Sequence, residues 1–151
     1  MKNVKFLKES ETDVKKKIAK LVAKTDKEVL IRWAVDCAKR VLPYFEKEFP
    51  KDKRPRKALE TARAWLKGGY EKVPFKEIRK ASLDAHAAAR AAPENSPARY
   101  AARACGQAVA ICHAKGHALG PLYYAMKIKG EKEEERQYKQ LVEISLEGSG
   151  N

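Results

Sequence analysis

AARACGQAVAICHAKGHALGPLYYAM, residues 101–126, is a run in which small residues predominate. Ala101, Ala104, Cys105, Ala108, Val109 and Cys112 recur at the three- and four-residue spacing of one helical face. Side chains this small let a second helix approach to the usual axis separation of about 8–10 Å or its lower end. Gly116 is expected to end this helix, and Leu119-Gly120-Pro121-Leu122-Tyr123-Tyr124-Ala125-Met126 to form a short one closed by Gly130. Two histidines, His113 and His117, and the pair Tyr123 and Tyr124 fall in the same stretch.

Working outward, the preceding helix is predicted to begin near Pro74, carry Phe75, Ile78, Ser82, Ala85 and Ala89 on its inner side, and stop before Pro93. Asn95-Ser96-Pro97 then restarts the pattern, with Ser96 as cap and Pro97 in the first turn. The two alanine-rich helices are expected to form the centre of the fold. Further upstream, Asp52 can cap and Pro55 can open a helix with Ala58, Leu59, Ala62, Trp65 and Leu66 inward, ended by Gly68-Gly69. Thr25-Asp26-Lys27-Glu28 has the form of a capping box, and a long helix after it places Leu30, Trp33, Ala34, Cys37, Val41, Leu42 and Phe45 on one face. Pro43 is expected to kink that helix, which should end near Phe49-Pro50.

The two ends differ in charge. Residues 1–27 hold nine lysines against four acids, with Val14, Ile18, Leu21 and Val22 at helical spacing behind a Ser10/Thr12/Asp13 cap region. The acidic stretch Glu131–Glu147 can form a last helix with Tyr138, Leu141, Val142 and Leu146 inward, before a frayed Gly148-Ser149-Gly150-Asn151. No segment alternates with the period of a strand. The prediction is an all-α single domain, an irregular bundle of six to seven helices, organised as a basic segment (1–27), a core (28–130) and an acidic helix with its tail (131–151).

Composition narrows the chemistry. At 151 residues with 44% hydrophobic and 35% charged residues, the chain is globular in type and sized for one core. No apolar run approaches the roughly 18–20 residues that cross a bilayer, and MKNVKFLKESETD lacks the apolar region of a signal peptide, so a cytoplasmic, non-membrane protein is expected. Cys37, Cys105 and Cys112 lie within apolar helical patterns and read as buried free thiols. The formal charge of +13 favours nucleic acid, an anionic membrane or an acidic protein surface without choosing among them.

Candidate polar residues fall in two groups. His86 and Arg90, one turn apart, and His113 and His117 can converge near Asp36 and Tyr123 if the alanine faces meet. His113 and His117 have the spacing of a helical metal pair, but Ala114 stands where the metalloprotease motif has its glutamate. No catalytic residue, metal ligand set or cofactor is assigned. The Lys51–Lys57 segment carries five basic residues at a helix start, and Arg54, Arg56 and Arg63 there can bind an anion or pair with acids such as Asp36 and Glu60.

Four segments in order, Trp33–Glu46, Asp52–Ala58 with Ala62–Trp65, Ala85–Arg90, and Ala102–Ala104 through His113, His117 and Tyr123-Tyr124-Ala125, resemble the immunity proteins of bacterial polymorphic toxin systems. The resemblance covers about residues 28–128. It implies an all-helical, non-enzymatic protein that binds and neutralises a cognate toxin, with Asp36, Arg54, Arg56, Arg63, His86, Arg90, His113, His117 and Tyr123 as candidates for lining or organising a binding groove. A basic nucleic-acid-binding protein using the N-terminal lysines and the Lys51–Lys57 loop is the alternative, and a small histidine-dependent hydrolase or metal enzyme a third reading.

Overall fold

A computed structural model describes residues 13–149. These form seven α-helices, with no strand among them: α1 (Asp13–Lys24), α2 (Lys27–Glu46), α3 (Arg54–Lys72), α4 (Phe75–Ala91), α5 (Pro97–Ala110), α6 (Gly120–Lys129) and α7 (Lys132–Ser149), plus one turn of 3₁₀-helix at Lys115–His117. The fold is an all-α single domain, as its patterning predicts.

Helix α5 is the axle. It packs most extensively against α4 and α2, and also against α3 and α6. Its Ala98, Ala101, Ala102, Ala104, Cys105, Ala108 and Val109 are all buried. The side chains are small on nearly every face, so four helices can surround it at once. At Gly106 even a methyl group is too much: a Cβ there would lie 2.7 Å from His86 Nε2 on α4. Trp33, Phe45, Leu30, Ile31, Leu42 and Ile111 fill the space the alanines leave, in one continuous core that also takes in Ile18 and Val22 of α1 and Leu141 of α7.

The helix boundaries follow from local chemistry. Ser96 Oγ accepts from the Arg99 amide at 3.2 Å, capping α5 with Pro97 in its first turn. Asp52 Oδ1 accepts from the Arg54 amide at 3.1 Å, so it serves the start of α3, although Lys53 is the boundary residue. Gly69 interrupts α3 with φ 60°, and the chain completes one more turn to Lys72. Gly130, at φ 87°, ends α6, where a left-handed residue favours glycine.

Three local expectations are corrected. The capping box at Thr25 does not form: its hydroxyl turns back to the Leu21 carbonyl of α1, and Asp26 opens α2 without a side-chain cap. A hydroxyl buried between two consecutive helices satisfies the end of the first in place of the start of the second. Phe75 lies on the outside of α4, 51% exposed, because it occupies the first helical position before the α4–α5 contact begins. On α7, Leu146 is 67% exposed, while the inward positions at the other end are polar: Glu133, Glu134 and Gln137 are buried. Glu133 pairs with Arg40 Nε at 3.0 Å and accepts from Gln137 Nε2 at 2.8 Å, and the Gln137 carbonyl accepts from Trp33 Nε1 at 2.9 Å. Thus α7 is docked by hydrogen bonds as well as by its apolar face. Its helix runs through Ser149, residues 150 and 151 lie outside the described residues, and so does the cap region at Ser10 and Thr12.

Candidate partner-binding site

The candidate polar residues do not converge on one place. His113 and His117 come together where α5 ends. The helix stops at Ala110, and the chain turns through His113 into the 3₁₀ turn, so the two imidazoles do not share a helix face. Their rings meet edge to face with centroids 5.6 Å apart, and His113 meets Phe75 in the same way at 5.1 Å. His117 Nδ1 donates to Gln107 Oε1 at 2.8 Å.

This turn is tied down from behind. The Cys112 carbonyl accepts from Tyr70 Oη at 2.7 Å and from Lys27 Nζ at 3.0 Å, and Lys27 lies 4.6 Å above the Trp65 ring. Lys115 Nζ donates to the Ala23 carbonyl at 3.2 Å. The result is a face on which exposed Tyr70 and Phe75 flank two half-buried histidines. Burial is the largest influence on His113 and pushes its pKa down, and the charges of Lys27 and Arg79 push the same way.

His86, on α4, meets the middle of α5. Its Nδ1 lies 2.9 Å from Arg103 Nη1, and since a guanidinium only donates, Nδ1 is the acceptor. Its ring covers Gly106, whose carbonyl accepts from Ser82 Oγ at 2.9 Å. His86 and His117 are therefore linked through successive positions of α5, Arg103, Gly106 and Gln107. Arg90 is exposed at the last turn of α4. Tyr123 is half-buried on α6, its ring 5.0 Å from Tyr124 and 5.4 Å from Lys127 Nζ.

Asp36 belongs to another part of the surface, accepting from Gln140 Nε2 of α7 at 3.1 Å. The two arginines of the basic loop each pair with an acid. Arg54 Nη2 pairs with Asp52 at 2.7 Å, and Arg56 Nε bonds Glu46 Oε2 at 2.7 Å, fastening the start of α3 to the end of α2. These arginines hold the Asp52 and Glu46 carboxyls below their ordinary range. The acids are thus Asp52 and Glu46 in place of Asp36 and Glu60, because each lies within reach of the loop. Arg63 is exposed on α3.

Tyr70, Phe75, Gln107 and Arg103 join the histidines here, and local spacing pointed to little of it. The available signal was the Arg99/Arg103 spacing on an otherwise alanine-rich helix. The three cysteines are free and buried; burial raises all three pKa values, that of Cys112 to about 12. Among the described residues no three His, Cys, Asp or Glu side chains gather as a metal set, and no helix is long and apolar enough to cross a membrane. Trp33, Phe45 and Trp65 are buried and offer no stacking platform for bases.

The architecture is that of an all-helical single domain with a braced aromatic face. The chain belongs to the Imm-5 like putative immunity protein family, whose model matches residues 20–147. The match takes in the end of α1 and nearly all of α7, beyond the span over which the four sequence segments carry the likeness. A search of curated proteins and one of solved structures found no match to the chain.

Proposed function

We propose that this chain is a non-catalytic immunity protein that binds a cognate bacterial toxin in the cytoplasm of the producing cell and blocks it. Family membership supports the role. The observation that carries binding is the face around His113: Phe75, 51% exposed, and Tyr70, 46% exposed, stand beside imidazoles fixed from behind by hydrogen bonds. Rigid, partly exposed aromatic rings are the residue types that anchor tight protein interfaces, since they bury large area at small entropic cost.

Catalysis has less to work with. A histidine acting as general base is held and polarised by a carboxylate, whereas the charges acting on His113 are the cations Lys27 and Arg79. The thiols are buried and pushed away from the thiolate form. Blocking by occupancy needs neither group to react.

The test is capture from nuclease-treated lysate of the source cells at moderate and high salt, with wild type and with Phe75→Asp. A single protein retained in stoichiometric amount, with retention falling at least about tenfold for Phe75→Asp, is the expected result. Recovery of nucleic acid alone, released by salt, would overturn the proposal in favour of phosphate binding.

A further inference from the structure

A cleft of about 350 Å³ opens beside the first turns of α5, lined by Glu94, Asn95, Arg99, Tyr100, Arg103 and Tyr124. Arg99 and Arg103 are four residues apart, so they project from successive turns of one face. Both are half-buried, and both are bonded only to neutral acceptors: Arg103 Nη1 to His86 Nδ1 at 2.9 Å, and Arg99 Nη1 to the Ala92 carbonyl at 3.4 Å. Arg40, Arg54 and Arg56 each take a carboxylate of this chain; among the described residues Arg99 and Arg103 take none. Two forked cations with most of their N–H groups unspent therefore face one small space.

The walls are aromatic and fixed. Tyr100 and Tyr124 stack with ring centroids 6.1 Å apart, and Tyr123 meets Tyr124 edge to face. Tyr100 Oη donates to Asn95 Oδ1 at 3.1 Å, and Asn95 holds the left-handed conformation, φ 59°, that asparagine tolerates better than most residues. Burial is the largest influence on Arg103 and depresses its pKa; Tyr124 pushes the other way, and the charges of Arg99 and Arg90 push with burial.

The geometry points to a carboxylate-binding cleft in which Arg99 and Arg103 together receive an Asp or Glu side chain from an acidic segment of a protein partner, packed against Tyr100 and Tyr124. This deepens the partner-binding reading above and rests on it. Guanidinium forks match a carboxylate in two parallel hydrogen bonds, and among the described residues no carboxylate pairs with these two. A nucleic-acid strand suits the site less well, because a cleft of about 350 Å³ takes a single side chain more readily than a run of phosphates.

The test uses the full chain and three probes: capped hexaglutamate, capped hexaglutamine and an oligothymidylate. Titrations followed by arginine side-chain and α5 backbone NMR signals read the site directly. Hexaglutamate is expected to shift the Arg99 and Arg103 Nε–H signals, and hexaglutamine to leave them still. Arg99→Gln/Arg103→Gln should weaken hexaglutamate about tenfold, while Arg54→Gln/Arg56→Gln, which removes equal charge from already paired positions, changes it less than about twofold. Arg103→Lys keeps the charge and a donor to His86 but loses the fork; a loss of at least about threefold at unchanged helical circular dichroism separates recognition from folding.

Equal loss in the two glutamine pairs, or shifts spread over the lysine-rich surface, would assign the affinity to net charge and overturn the proposal. So would tighter binding of oligothymidylate at the same two arginines. Because no toxin is needed, failure here leaves the immunity reading standing if Phe75→Asp still abolishes capture, and failure of capture leaves this result interpretable.

Discussion

Gly106 and His86 show how one missing methyl group sets the relation between two helices. A Cβ at residue 106 would meet three atoms of the His86 ring at 2.7–2.9 Å. Gly106→Ala is therefore expected to destabilise by about 1–3 kcal/mol, the usual cost of overpacking. With the ring removed, the same change gains helix propensity, so in a His86→Ala background it should stabilise by about 0.5–1 kcal/mol. Urea unfolding of the four proteins checks the reversal of sign, and two parallel destabilisations would show that the ring is not what limits the approach. His113 gives a second test at this scale. Its pKa is depressed in the fold, so the neutral ring contributes stability that is complete above the unfolded value, about 6.5, and is lost as pH falls through it. The unfolding midpoint of wild type relative to His113→Gln should accordingly fall between about pH 8 and pH 5. A difference that grows on acidification would mean that protonated His113 has an acidic partner.

At the scale of elements, α5 is specified almost entirely by its own residues. Ser96 and Pro97 open it, and alanines line the faces that α2, α3, α4 and α6 cover. Ser96→Ala removes the acceptor for the Arg99 amide and should cost about 1 kcal/mol in a denaturant midpoint, with Ser96→Asn near neutral. An effect below about 0.3 kcal/mol would show that the carbonyl and proline contacts alone set the boundary. The helices and their order were legible because periodicity, prolines and glycines are local signals. Thr25 was not, since its hydroxyl had a choice between α1 and α2 that only the packed chain decides. The inward polar end of α7 escaped too: Glu133 and Gln137 are met from α2 by Arg40 and Trp33, contacts that no spacing along the chain signals.

The candidate site was legible only in part, for the same reason. His113, His117 and Tyr123 lie in one sequence stretch, but the turn after Ala110 rotates the histidines toward Phe75, and Asp36 faces α7. Helical phase fixes which residues share a face of one helix; it does not fix how consecutive helices are swung about a turn. Tyr70 was hidden because it follows Gly69, whose positive φ redirects the last turn of α3.

For the whole molecule the dominant facts are the charge of +13 and a core built around one alanine-rich helix. A field of that sign speeds encounter with an acidic partner and weakens as salt screens it, while the rate of escape depends on the desolvated contacts at the centre of the interface. Raising salt from about 0.05 M to 0.5 M should therefore lower the association rate of the captured partner steeply and its dissociation rate little. Surface plasmon resonance separates the two; a loss carried mainly by faster dissociation would place ion pairs, not aromatic anchors, at the centre.

Neutralisation by occupancy can be tested by titrating the captured protein's growth-arresting activity. Increasing amounts of wild type and of Phe75→Asp are added to a fixed amount of that protein, and the residual activity is read. Occupancy predicts a linear decline that ends at an equimolar ratio for wild type and a shallow one for Phe75→Asp. Loss of activity at amounts far below equimolar would mean turnover, and no loss at any ratio would mean that the captured protein is not a toxin this chain antagonises.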